Sequence, residues 1–501
     1  MKTIPDLIEQ AKNVSTPLIA VSTADPQATQ DAIAKRLSGV PLLCWDIARG
    51  VIAVNERGKT AAAAFGKDPT GLTTPGEALI LAAKLPADTV LFVHMAHQYL
   101  DNEQVKQAVW NLRDIFKVNG RTLIMFGPSF TLPAELAQDV LLLDEPLPTE
   151  AELSTIVTAQ YENARQTSDP PLTKETFPDP DEKDLGRIVD ACRGLAAYPS
   201  EQAVAMALRK TGIDLDDLWI RKKTFINQIR ALRVEESTLT FADVGGLETM
   251  KTYLGDLAAG PLSPIVWLWI DEIVKLFAGA GSSGDTSGVS QDQLATFLTL
   301  FQLYGWTGTL AVGHPGTGKS LVAKTAAKTY SGVCVAFDTG AAKGSLVGES
   351  EKYIRAAFKA VQAIGGNRVH VIASCNGLDS LRPEMRRRFG TPWVFDLPTK
   401  EERSTIWPIS LKRFKLDEGQ PRPEDEGWTG AEINKCCELA FMLQKPLSEA
   451  ACYVIPIIKS DPEAIKKLRD QASNRWLSAS YPGPYRPETE KAATGGRKIQ
   501  L

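Results

Sequence analysis

The chain has 501 residues, 44% of them hydrophobic and 23% charged, with a formal net charge of -4. That length exceeds what one hydrophobic core supports, so two or three domains are expected, and the charge balance offers no basic stripe for nucleic acid or an anionic membrane. The seven cysteines lack metal-type spacing, the apolar run near Ile265–Ile270 is too short to cross a bilayer, and the start MKTIPDLIEQAKN is polar, so a reducing, cytoplasmic location is expected.

In chain order, PLIAVST (17–23), VPLLCWD (40–46), TVLFVHM (89–95), RTLIMFG (121–127) and DVLLLDE (139–145) read as strands, with helical patterns such as EQVKQAVWNLRDIF between them. The alternation predicts a parallel α/β module over 1–147. Over 148–240 the strand signals vanish: AELSTIVTAQYENARQ and EQAVAMALRKTG are helical, and TSDPPLTKETFPDPDEKD is a linker or long loop. A second α/β pattern occupies 241–398, from FADVGGLE to DLP. Helices follow over 399–475, and 476–501 reads as a flexible tail.

The two halves echo one another. PTEAELSTIV at 148–157 mirrors PTKEERSTIW at 398–407, and LPAEL, ending at 136, sits opposite RPEM at 382–385 in the same register. Two matches at one spacing favour duplication of an α/β module over chance.

GHPGTGKS at 313–320 satisfies G-x-x-x-x-G-K-S, with TLAV before it as a strand and SLVAKTAAKTY after it as a helix. Its glycines let backbone N–H groups curl round phosphates at a helix N-terminus, where the dipole favours anions. The nucleotide-binding segment is therefore Gly313, His314, Pro315, Gly316, Thr317, Gly318, Lys319, Ser320 and Leu321, with Lys319 reaching the β and γ phosphates of ATP and the Ser320 hydroxyl on Mg²⁺. The ion needs a carboxylate and hydrolysis needs an oriented water, and VWLWIDE supplies Asp271 for the first and Glu272 for the second. VLLLDE, ending in Asp144 and Glu145, lies in a module where VSTADPQATQ replaces the phosphate loop; VCVAFD, ending in Asp338, lacks a tandem glutamate.

FADVGGLE, GHPGTGKS, WLWIDE, VHVIASCN, RPEMRRRF and WTGAEINKCCELA, spread over about 241–440, together resemble the ring-forming AAA ATPases that include membrane-bound bacterial proteases and microtubule-severing enzymes. The closest resemblance is to an AAA family of cyanobacteria and chloroplasts with an N-terminal AAA-like domain that lacks a phosphate loop. The resemblance implies a P-loop NTPase parallel sheet with a helical lid, preceded by a degenerate AAA-like module. It implies that Asn376 senses the γ-phosphate or attacking water, and that Arg386 and Arg388 resemble arginine fingers reaching a neighbouring subunit. This arginine motif is shorter than the family's and lacks its Pro-Gly, which leaves open which arginine acts. Gly430 and Ala431 would pack by the nucleotide from the lid, and Asp243 and Gly245 would lie near the adenine.

In that family the acidic strand follows the phosphate loop, whereas here it precedes it. Strand 266–270 with helix 291–303 therefore reads as a βα unit moved forward in the chain, and a parallel sheet can accept it because strands keep their places while crossovers change. Leu346 stands where threading rings carry a pore aromatic, and the Gly-rich loop 278–290 is a second pore contact or a lid. Two functions follow from the resemblance. One is an ATP-hydrolysing remodeller or chaperone of an unidentified protein client, working as a homo-oligomeric ring, a hexamer by family likeness. The other is an ATP-gated scaffold or switch with slow hydrolysis and no threading.

Overall fold

The computed structural model describes residues 3–66, 68–277, 289–342, 349–377 and 383–487. By compactness the chain forms two units, Met1–Thr149 with Ala196–Gln202, and Glu150–Leu195 with Ala203–Leu501.

The first unit holds β1 (Leu18–Ser22), β2 (Leu42–Asp46), β3 (Gly50–Ala53), β4 (Val90–Val93), β5 (Thr122–Gly127) and β6 (Leu141–Asp144). They form one sheet in the order β3-β2-β4-β5-β1-β6, parallel throughout except for the β2–β3 hairpin. The inner strands β1, β4 and β5 are buried almost throughout, which is why they read as unbroken apolar runs rather than alternating ones. Strand β3 was not among the expected strands. Its hairpin is closed by Asp46, whose carboxylate accepts from the N–H groups of Ala48 and Arg49, and by Gly50 at φ 64°, a left-handed conformation that suits glycine.

The second unit holds β7 (Leu232–Glu235), β8 (Val266–Ile270), β9 (Thr307–Gly313), β10 (Val333–Phe337), β11 (Val369–Cys375), β12 (Trp393–Phe395) and β13 (Leu477–Ser478). Their order in the sheet is β13-β12-β9-β11-β8-β10-β7. Strand β8 is parallel to both its neighbours, with Ile270 opposite Phe337 of β10 and Ala373 of β11. It therefore occupies a central place in the sheet although it enters the chain before β9.

The two sheets share one plan. Taking β1, β2, β4, β5 and β6 as equivalents of β9, β10, β8, β11 and β12, the spatial order of the five is the same, and each sheet carries an antiparallel strand, β3 or β7, beyond β2 or β10. In the first unit the chain visits the five in order. In the second only β8 is out of sequence, and it sits where β4 sits in the first.

Packing explains why the transposition is tolerated. Val266, Leu268 and Ile270 face a core with Phe297 and Phe358, while Trp267 and Trp269 face the opposite core with Val322 and Ala326. Burying one such side chain contributes about 1.5–3 kcal/mol, whereas doubling a connecting loop costs only about 0.6 kcal/mol in closure entropy. Five buried side chains outweigh the rerouted crossovers several times over.

Two boundaries differ from expectation. Strand β7 lies within 148–240, so the core sheet begins before residue 241; with one polar end and only four residues, LRVE carries too weak a pattern to stand out. The expected tail 476–501 is in part folded: β13 pairs with β12, and Tyr485 is buried, its hydroxyl donating to Asp396 Oδ2 at 2.6 Å. Proline- and glycine-rich composition concealed two buried aromatic anchors, Trp476 and Tyr485. Tyr485→Ala should lower the stability of the second unit by about 3–5 kcal/mol, the range for deleting a buried aromatic, measured by chemical denaturation; a loss below about 1 kcal/mol would place this segment outside the fold.

Candidate functional site

At the end of β9 the chain turns through the phosphate loop into the helix Lys319–Thr329. The turn needs its glycines. A Cβ at Gly313 would stand 2.2 Å from the Phe395 carbonyl oxygen, and Gly318 has φ 98°. Lys319 is buried and its Nζ donates to the carbonyls of Gly313 and His314 at 2.6 and 2.7 Å. Burial pushes its ammonium down to about 8, against the pull of nearby Asp271 and Glu272. A desolvated ammonium hydrogen-bonded to two backbone carbonyls at the mouth of a helix N-terminus is poised for an anion.

The acidic pair follows β8 directly. Ser374 Oγ donates to Asp271 Oδ1 at 2.7 Å and accepts from the Glu272 N–H at 2.9 Å, so one β11 hydroxyl fixes both residues. Asn376 Nδ2 donates to Glu272 Oε1 at 2.8 Å. Glu272 itself sits at φ 44°, a strained backbone for a residue other than glycine and one that concentrates at functional sites. The hydrogen bond and ion pair from Lys275 hold its carboxyl below the usual range.

These groups line one cleft of about 440 Å³. Asp271, Glu272, Asn376, Pro315, Gly316, Thr317, Gly318, Lys319, Ser320 and Leu321 line it, as do Asp243, Gly245, Gly430 and Ala431. The Ala431 N–H donates to the Gly316 carbonyl at 3.3 Å, tying the helix Gly430–Leu443 to the loop. Gly313 and His314 underlie the cleft through their carbonyls, while the imidazole of His314 is buried and its Nε2 has no hydrogen-bond partner among the described residues.

Arg386 and Arg388 are not in this cleft. They lie on the helix Pro383–Phe389, which buries Met385 and Phe389, with Arg388 exposed and Arg386 partly covered. Asp144, at the end of β6, and Asp338, which caps its own turn through the N–H groups of Gly340 and Ala341, also lie outside it. Leu346 lies outside the described residues, as does most of the loop 278–290.

The cleft also includes Ile406, Ile409, Ser410 and Arg413 of the helix Lys400–Arg413, with Asn434. Sequence reasoning placed that helix through the repeat but singled out none of these side chains. Their spacing, one helical face, was the available signal.

Two sequence families match the chain: "SpoVK-like AAA ATPase, N-terminal domain" over residues 6–145, and "ATPase family associated with various cellular activities (AAA)" over residues 309–365. The second match starts in β9 and stops before β11, where the family order would place the acidic strand. The uncharacterized AAA domain-containing protein ycf46 of Guillardia theta is 22% identical over 80% of this chain and 83% of its own length. The same protein of Trieres chinensis is 23% identical over 80% and 84%. By these matches the chain is similar to AAA ATPases and to the ycf46 group. A proteasome-activating nucleotidase of Saccharolobus islandicus is 24% identical over 54% of this chain and 76% of its own.

The first unit has the same sheet order and other residues at the site positions. Four positions take the chain from Ser22 to the helix start at Pro26, but seven from Val312 to Lys319, so the loop is too short to circle a phosphate. The Asp25 carboxylate instead caps that helix through the Ala28 N–H at 3.1 Å, filling the anion position with the chain's own charge. His94 and Met95 stand where Asp271 and Glu272 stand, and Met95 retains the left-handed backbone at φ 52°.

Ser374→Ala would leave the partly buried Glu272 N–H without its acceptor and remove the donor to Asp271. The expected cost is about 1–3 kcal/mol by denaturant unfolding of the second unit, and no loss would mean that Ser374 does not organise the acidic pair.

Proposed function

We propose that the second unit binds Mg²⁺ and ATP in this cleft, hydrolyses ATP, and uses the cycle to remodel protein partners. The observation that carries this reading is the convergence of Lys319, Ser320, Asp271, Glu272 and Asn376 on one cleft although they come from three separated stretches of chain.

The donor set fits the ion. Among the described residues no group of three or more His, Cys, Asp or Glu side chains could hold a metal alone. A magnesium ion that takes one carboxylate and one hydroxyl, with phosphates and water completing its shell, suits Asp271 and Ser320. When bound, it would neutralise charge developing on the phosphates. Lys319 would exchange its carbonyl partners for phosphate oxygens. Glu272 would orient and polarise the attacking water, with Asn376 fixing that carboxylate by its hydrogen bond. Val244, Leu247 and Ile406 offer apolar surface for a base between the Asp243–Gly245 stretch and the lid.

The position of Arg386 and Arg388 away from their own cleft suits fingers that complete a neighbour's site in a homo-oligomeric ring, and a hexamer follows the family pattern. The match to a protein named as a proteasome-activating nucleotidase supports ATP-driven work on protein clients. No helix among the described residues is long and apolar enough to cross a membrane, and with six of the seven cysteines buried and all of them free, a cytoplasmic setting is the proposed location. One observation favours the second function, a slow ATP-gated switch: both carboxylate oxygens of Glu272 are already engaged.

Lys319→Ala should abolish binding of a fluorescent ATP analogue. Glu272→Gln should keep that binding while lowering turnover by about a hundredfold or more. Turnover that rises when unfolded protein is added supports remodelling, and slow turnover indifferent to it supports the switch. A parent chain without turnover ends the enzyme reading.

A further inference from the structure

Lys275 belongs to the short helical turn Ile273–Phe277 that follows the acidic pair. Its N–H donates to the Glu272 carbonyl at 2.8 Å, closing the turn and bringing the side chain back over Glu272. Lys275 Nζ pairs with Glu272 Oε2, while Oε1 accepts from Asn376 Nδ2 at 2.8 Å. The carboxylate proposed to handle water is therefore bracketed, one oxygen by a neutral amide and the other by a full positive charge.

The two partners differ in kind. Asn376 extends from the end of β11, a buried central strand, and can hold its hydrogen bond while the other oxygen faces a water. Lys275 has a side chain 68% exposed on a flexible stem, and the oxygen it covers is the one Asn376 leaves open. An ammonium there competes with water for the same lone pairs.

We propose that Lys275 is a positioning residue that restrains Glu272, its ion pair keeping basal hydrolysis slow until the ammonium swings away. The proposal rests on the assignment of Glu272 as the group that polarises water. It gives the cycle a point of control within one chain.

The test uses the full chain with Lys275→Gln, Lys275→Arg and Glu272→Gln, measuring steady-state ATP turnover and, separately, equilibrium binding of a fluorescent ATP analogue. An exposed ion pair is weak, so its removal should raise kcat by about two- to fivefold. KM and analogue affinity should stay unchanged, and Lys275→Arg should remain near the parent because guanidinium re-forms the pair. Lys275→Gln with unchanged or lower kcat overturns the proposal, and so does weakened analogue binding, which would make Lys275 a phosphate ligand. If the parent turns over and Glu272→Gln does not, that failure belongs to Lys275 alone. A parent without turnover, or a fully active Glu272→Gln, overturns the Glu272 assignment and this proposal with it.

Discussion

Everything chemical in this chain depends on β8 lying between β10 and β11. Parallel pairing on both sides fixes its height in the sheet, with Ile270 level with Ala373, so Ser374 and Asn376 meet Asp271 and Glu272 at the sheet's C-terminal edge. Strand β9 lies on the far side of β11 and delivers the phosphate loop to the same edge. Sheet geometry thus performs what chain order does not. A crevice at the carboxyl ends of parallel strands is where α/β sheets bind ligands, and the site is built there from strand ends and one helix N-terminus.

The first unit shows what the same scaffold becomes without that chemistry. Its sheet keeps the five-strand order and the left-handed residue after the fourth strand, yet the phosphate position holds the Asp25 carboxylate and the acidic pair is replaced by His94 and Met95. The left-handed backbone at Met95 belongs to the architecture of this turn. At Glu272 the same backbone aims a carboxylate. This backbone is thus common to both units, and only the second places a carboxylate on it.

Much of the site was legible in the sequence because it is written in contiguous stretches. Glycines that demand left-handed turns, a Lys-Ser pair after a strand, and two carboxylates ending an apolar run each have a local physical reason. Five of the six strands of the first unit and the transposed strand were legible as apolar runs, although β6 is largely exposed. What escaped lacked a local signal. Strand β7 is short and half charged and exists because β10 offers an edge; Tyr485 is fixed by Asp396 some ninety positions away; and Ser374, inside the apolar-looking VHVIASCN, becomes an organiser only once β11 lies beside β8. The cleft face of the helix Lys400–Arg413 was hidden for a related reason, since lid residues touch the site only through tertiary packing.

The most direct measurement is an experimental structure of the full chain with Mg²⁺ and a non-hydrolysable ATP analogue. Strand β8 is expected between β10 and β11, with Asp271 and Ser320 on the same ion and Lys319 moved from its loop carbonyls to the phosphates. A structure that puts residues 266–270 on a sheet edge, or Asp271 beyond reach of the ion at Ser320, would contradict a nucleotide site assembled from a transposed strand.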